Sequence, residues 1–168
     1  TFSLDTAVAG DLGVAIDPFR IGAFGHSFGA VTAAIVLQDR LGTDGAPISA
    51  MFVGAPPENP LLPGVSMELL DAPLLFMRLL EDHSVGEVGN LLMHANFEAA
   101  PGEAWEVDVP DAGHWSPSDL VGLTADFMPG CGDDTRESTG EAFSYLDPVA
   151  GRAIAASTAA GFFAQTLR

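Results

Sequence analysis

The chain has no lysine, one cysteine, one tyrosine and two tryptophans among its 168 residues. It also lacks any apolar run near the ~18 residues that a membrane-spanning helix requires. Each scarcity narrows the range of functions. All six basic residues are arginines, set against 23 acidic residues, so the formal net charge is −17. Phosphate backbones and anionic headgroups are repelled by such a surface, which makes nucleic acid a poor partner. The same charge fits a solubility device or a salty habitat. Cys131 cannot form a disulfide within the chain, so cysteine usage leaves the redox compartment undecided. No cation-flanked apolar leader opens the sequence, although one removed from it or lying upstream of Thr1 stays open. A soluble chain is expected, in the cytoplasm or secreted.

What the chain does have is apolar content, 48% of its residues, together with 19 glycines and 12 prolines. A domain of this length buries about 70% of its unfolded surface, so residues 1–168 are read as one domain rich in turns. Leu4, Val8 and Leu12 recur on one helical face, which predicts a short helix over 1–13. The apolar run 20–25 reads as a buried strand, followed by a helix over 28–40. Further strands are predicted at 48–53, 73–79 and 104–109, with a helix over 85–97 between the last two. A short helix near 117–127, an irregular segment 129–140 and an Ala-rich helix over 148–167 complete the chain. Strands alternating with helices argue for a parallel sheet covered on both faces.

Gly25-His26-Ser27-Phe28-Gly29 has the G-x-S-x-G form, directly after an apolar strand and directly before an Ala-rich helix. So tight a turn projects the Ser27 hydroxyl away from the backbone. Gly25 and Gly29 are expected because a side chain at either would strike the neighbouring helix or strand. At the helix N-terminus, the Phe28 amide and the helix dipole are suited to stabilise a developing oxyanion. The plain alternative is a tight turn in which Ser27 only caps the helix.

A serine hydroxyl needs a base, and histidine is the natural one. His114 follows Pro110-Asp111-Ala112-Gly113 in a loop after the strand 104–109, where the functional residues of parallel sheets collect. His26 is expected to pack or hydrogen-bond beside the elbow, His83 to be a solvated neighbour of the acid, and His94 to be satisfied on its helix. For the carboxylate that orients the base, Asp82 lies at the C-terminal end of the strand 73–79. Glu81, Asp108 and Asp111 compete with it. The order Ser27, Asp82, His114 is that of α/β-hydrolases rather than of the chymotrypsin or subtilisin types.

The segments IGAFGHSFGAVTAA (21–34), PLLFMRLLEDHSV (73–85) and VPDAGHWS (109–116) resemble those of bacterial hydrolases related to platelet-activating-factor acetylhydrolases and dienelactone hydrolases. Bacterial polyester hydrolases are similar too. The resemblance implies a three-layer α/β/α-hydrolase fold and hydrolysis of a small-molecule or polymeric carboxylic ester by Ser27, Asp82 and His114. Amidase or thioesterase chemistry would use the same residues. The alternative is an incomplete or degenerate hydrolase that binds without turnover. Such hydrolases carry some hundred residues before the elbow strand, which supply the first half of the sheet and a second oxyanion donor. Only the helix predicted over 1–13 precedes it here, so the chain reads as the C-terminal part of that sheet, with the elbow strand near an edge. Completion by an N-terminal partner chain or by a second copy is therefore an expectation.

Phe24, Phe28, Met51, Phe52, Leu61, Leu62, Met77 and Trp115 are candidates to line an acyl pocket, with Trp115 the first choice for substrate contact. Asp133, Asp134 and Glu137 lack calcium-loop spacing and read as a solvated acidic turn. No glycine pattern for a dinucleotide or phosphate is present, and the chemistry requires no cofactor or metal.

Overall fold

The computed structural model describes residues 17–128 and 130–168. The helix expected over residues 1–13 lies outside them. Four strands, β1 (Gly22–His26), β2 (Ser49–Val53), β3 (Leu74–Leu79) and β4 (Ala104–Val109), form a wholly parallel sheet in the order β1-β2-β3-β4. Helix α1 (Phe28–Arg40) links β1 to β2, and α2 (Gly86–Ala99) links β3 to β4. The chain closes with α3 (Pro148–Thr166).

Side-chain alternation in the two central strands builds a core on each face. Ala50, Phe52, Leu74 and Phe76 pack with Ala30, Ala34 and Leu37 of α1 and Met93 of α2. On the opposite face Met51, Val53, Leu75 and Met77 meet Ala155 and Phe162 of α3. This two-sided burial is why β2 and β3 read as unbroken apolar runs. Phe52 and Phe76 are fully buried, each worth about 1.5–3 kcal/mol relative to exposure. Helix α3 starts cleanly because Asp147 caps it, its carboxylate accepting from the Val149 and Ala150 amides with Pro148 next in line.

Two expectations are corrected. The segment 117–127 is not a helix but a series of turns ending in a 3-10 turn, Ala125–Phe127. There Ser118 Oγ accepts the Leu120 amide, and Gly122 adopts a φ of 74°, so local bonds and backbone compete with the helix. The segment 129–140 is less irregular than read. Strand β5 (Asp133–Thr135) pairs antiparallel with β6 (Ala142–Ser144), beyond a turn closed by the Gly140 amide on the Arg136 carbonyl. Among the described residues, β1 has a strand on one side only. None of their helices is long and apolar enough to cross a membrane.

Candidate active site

Ser27 sits between β1 and α1 with φ 58° and ψ −129°, a conformation that costs a non-glycine residue about 1–3 kcal/mol. Two bonds hold it there: its amide donates to the Val53 carbonyl at 3.0 Å, and its carbonyl accepts the Ala30 amide at 2.8 Å. A Cβ on Gly25 would lie 2.1 Å from the Gly29 carbonyl oxygen, so only glycine lets the helix return so closely to the strand. Gly29 is a correction, because a Cβ there meets nothing within 4 Å among the described residues. The Ser27 side chain makes no capping bond to α1, contrary to the purely structural reading of that serine.

Instead the hydroxyl meets His114 Nε2 at 2.8 Å, while His114 Nδ1 lies 2.7 Å from Asp82 Oδ2. The carboxylate fixes the tautomer: Nδ1–H donates to Asp82, which leaves Nε2 to accept the hydroxyl proton. His114 and Asp82 are almost fully buried. The other oxygen of Asp82 accepts the Ser84 amide at 2.9 Å and the Val85 amide at 3.2 Å, so both carboxylate oxygens are occupied.

Glu81, Asp108 and Asp111 do not reach His114. Asp108 is bidentate with Arg78, at 2.7 Å for both bonds. Glu81 and Asp111 both accept from Arg136. The structure thus brings together Ser27, Asp82 and His114 from three strand ends.

His26 Nε2–H donates to the His114 carbonyl at 2.7 Å. Burial, and then the neighbouring His114 ring, hold its pKa below the ordinary 6.5, so it stays a neutral prop beneath the histidine loop. Trp115 stands edge-on to His114, with ring centroids 5.0 Å apart, and also packs on His26 and Phe127. It packs against the His114 ring and is not among the residues that bound the cavity beside Ser27. His83 is half-buried rather than solvated, against Tyr145, Phe143 and the Asp134 carboxylate. Asp134 accepts the Tyr145 hydroxyl at 3.0 Å, and burial first, then that carboxylate, push the tyrosine pKa up. Of the acidic turn expected at 133–137, Asp133 and Asp134 are therefore part of a paired ribbon. His94 bonds Glu106 from its helix, as expected.

Three supports escaped the sequence reading. Ser116 Oγ accepts the Gly113 amide at 2.9 Å and donates to the Gly130 carbonyl at 3.2 Å, folding the His114 loop on itself. Gly54, at φ 63°, would place a Cβ 3.3 Å from Asp82 Oδ2, so its missing side chain leaves room for the acid. Arg136 ties the Asp82 loop to the His114 loop through Glu81 and Asp111. The Gly-x-x-Ser spacing was the only local signal among these.

A cavity of about 590 Å³ opens beside Ser27, bounded by Phe28 and Val31 of α1, Ala55 to Leu62 of the loop after β2, and Val85, Val88 and Leu92 at α2. Phe28, Leu61 and Leu62 line it as expected, whereas Met51, Phe52 and Met77 are core residues with no exposure. Phe24 and Trp115 are not on its walls.

A parallel sheet with helices on both faces and a serine on the strand-to-helix elbow define the α/β-hydrolase fold. Solved structures carry the same fold. A dienelactone hydrolase-like promiscuous phosphotriesterase from metagenomic libraries matches with a TM-score of 0.62 at 13% identity, covering 100% of this chain and 69% of that one. The dienelactone hydrolase from Anabaena variabilis matches with a TM-score of 0.52 at 16% identity, covering 89% of this chain and 50% of that one. This chain therefore spans only about half to two-thirds of their length. No protein-family model and no curated protein matches the sequence.

Proposed function

We propose that this protein is a serine hydrolase that cleaves carboxylic esters through an acyl-enzyme on Ser27. The observation that carries the reading is the continuous line of hydrogen bonds from Ser27 Oγ through His114 to buried Asp82. Ser27 Oγ bonds to the ester carbonyl carbon as His114 Nε2 takes the hydroxyl proton. The carbonyl electron pair moves onto oxygen, facing the Phe28 amide. The carbon–oxygen bond to the alcohol then breaks, and that alcohol leaves with the proton from His114. Water, deprotonated by the same nitrogen, repeats the sequence on the acyl-serine and releases the acid. Asp82 holds the imidazole and balances its transient positive charge.

A fluorophosphonate probe combined with p-nitrophenyl ester turnover tests the proposal on wild type and Ser27→Ala. The wild type is expected to label and to turn over, and the variant to do neither while remaining folded. An unlabelled wild type without turnover would favour a hydrolase-like binding protein instead.

A further inference from the structure

None of the six arginines lines the cavity beside Ser27, and among the described residues none on its walls carries a charge. Val31, Ala55, Pro56 and Gly89 form a buried floor. The polar Asn59 is turned to its own loop, accepting the Leu61 amide at 2.9 Å. Arg78 is bound to Glu106 and Asp108, Arg136 to Glu81 and Asp111, and Arg152 to Asp119. Arg20 donates to the Leu167 carbonyl and Arg168 to that of Ala164.

The geometry also says which half of an ester enters. The leaving oxygen must face His114 Nε2 to receive its proton, and His114 is not on the cavity wall. The wall does include Phe28, whose amide faces the developing oxyanion, and Val31, one helical turn beyond Ser27. The group left on the carbonyl carbon, the acyl group, is the one directed into the cavity.

Resting on the ester-hydrolase reading, we propose that the acyl site accepts uncharged apolar acyl groups and rejects those bearing a carboxylate. A carboxylate against Val31 and Ala55 loses water and gains no cation in return, which disfavours it strongly. An apolar chain of the same length gains by leaving water.

The test compares p-nitrophenyl pentanoate with p-nitrophenyl hemisuccinate, near-isosteric acyl groups on one leaving group, using the full chain at pH 7.5. Pentanoate is expected to have a kcat/KM about 100-fold higher or more. The gap should persist in 0.5 M NaCl, because the penalty is local to the cavity and not a long-range effect of the net charge. Val88→Arg, on an exposed turn of the cavity wall, should narrow the ratio by about tenfold. Equal rates, or a preference that vanishes in salt, would overturn the proposal and leave the esterase reading standing. No turnover of either ester and no fluorophosphonate labelling would overturn both.

Discussion

Glu81, Asp82, Asp108 and Asp111 all lie at or near the C-terminal ends of β3 and β4, yet their surroundings assign them different work. Only Asp82 has an oxygen on His114, and its second oxygen is held by two backbone amides. Asp82→Asn is expected to lower kcat by about four orders of magnitude, since the amide presents a donor where Nδ1–H needs an acceptor. Asp108→Asn and Asp111→Asn should each cost far less, and a reversed ranking in steady-state rates would move the acid elsewhere. His26 makes a different prediction. Its folded pKa is held below 6.5, so in acid the unfolded chain binds the proton that the folded chain refuses. Stability is therefore unaffected above pH 6.5 and falls as pH drops below that value. His114, Trp115 and Asp82 surround the ring, and Asp82 opposes the shift weakly. Urea midpoints from pH 8 to pH 5 should fall less steeply in His26→Gln than in wild type. Parallel curves would remove His26 as the source.

At the scale of elements, the elbow and the β5–β6 ribbon position the site. Gly25→Ala pushes a methyl against the backbone of α1 and should destabilise the fold by about 3 kcal/mol. Gly29→Ala, inside α1 with open space around it, should be neutral or stabilise by up to ~1 kcal/mol in a thermal melt. Arg136 joins Glu81, next to Asp82, to Asp111, three residues before His114, so Arg136→Ala should let the two loops drift apart. A kcat loss of about 10- to 100-fold with little change in KM is expected, partly restored by Arg136→Lys. An equal loss in both variants with an altered KM would point to general unfolding instead. Sequence legibility divides along the same line. Helix α1 and strand β4 fall where periodicity places them, because each is bounded by local signals, a glycine elbow or a Pro-Asp turn. Strand β1 runs on to His26 because its register is set by β2, and the strained turn begins only at Ser27. The ribbon escaped notice because Asp133 and Asp134 are poor strand formers. Its pairing depends on partners such as Tyr145 and Glu81, which no local window connects.

For the whole molecule, the decisive quantity is the imbalance of 23 acidic residues against six arginines. Arg78 and Arg136 each contact two carboxylates, so each cluster keeps one negative charge, and Arg152 pairs with a single one, while Arg20 and Arg168 donate to backbone carbonyls. Acidic groups thus greatly outnumber the cations, and folding concentrates that charge. Salt acts on two opposing contributions. It weakens the few exposed ion pairs, each worth about 0–1 kcal/mol, and it weakens the repulsion among a much larger number of like charges. The screening length shrinks from about 30 Å at 0.01 M to about 3 Å at 1 M, from the span of the domain to that of a single contact. Repulsion acts over the longer distances and involves more groups, so it is the larger contribution removed. Tm should therefore rise as NaCl increases from 0.01 M to 1 M. Arg136→Gln, which deletes a cation without adding an acid, should start from a lower Tm and rise by more. A Tm that is flat or falls across that range would mean that the ion pairs around Arg78 and Arg136 outweigh the net charge in holding the fold together.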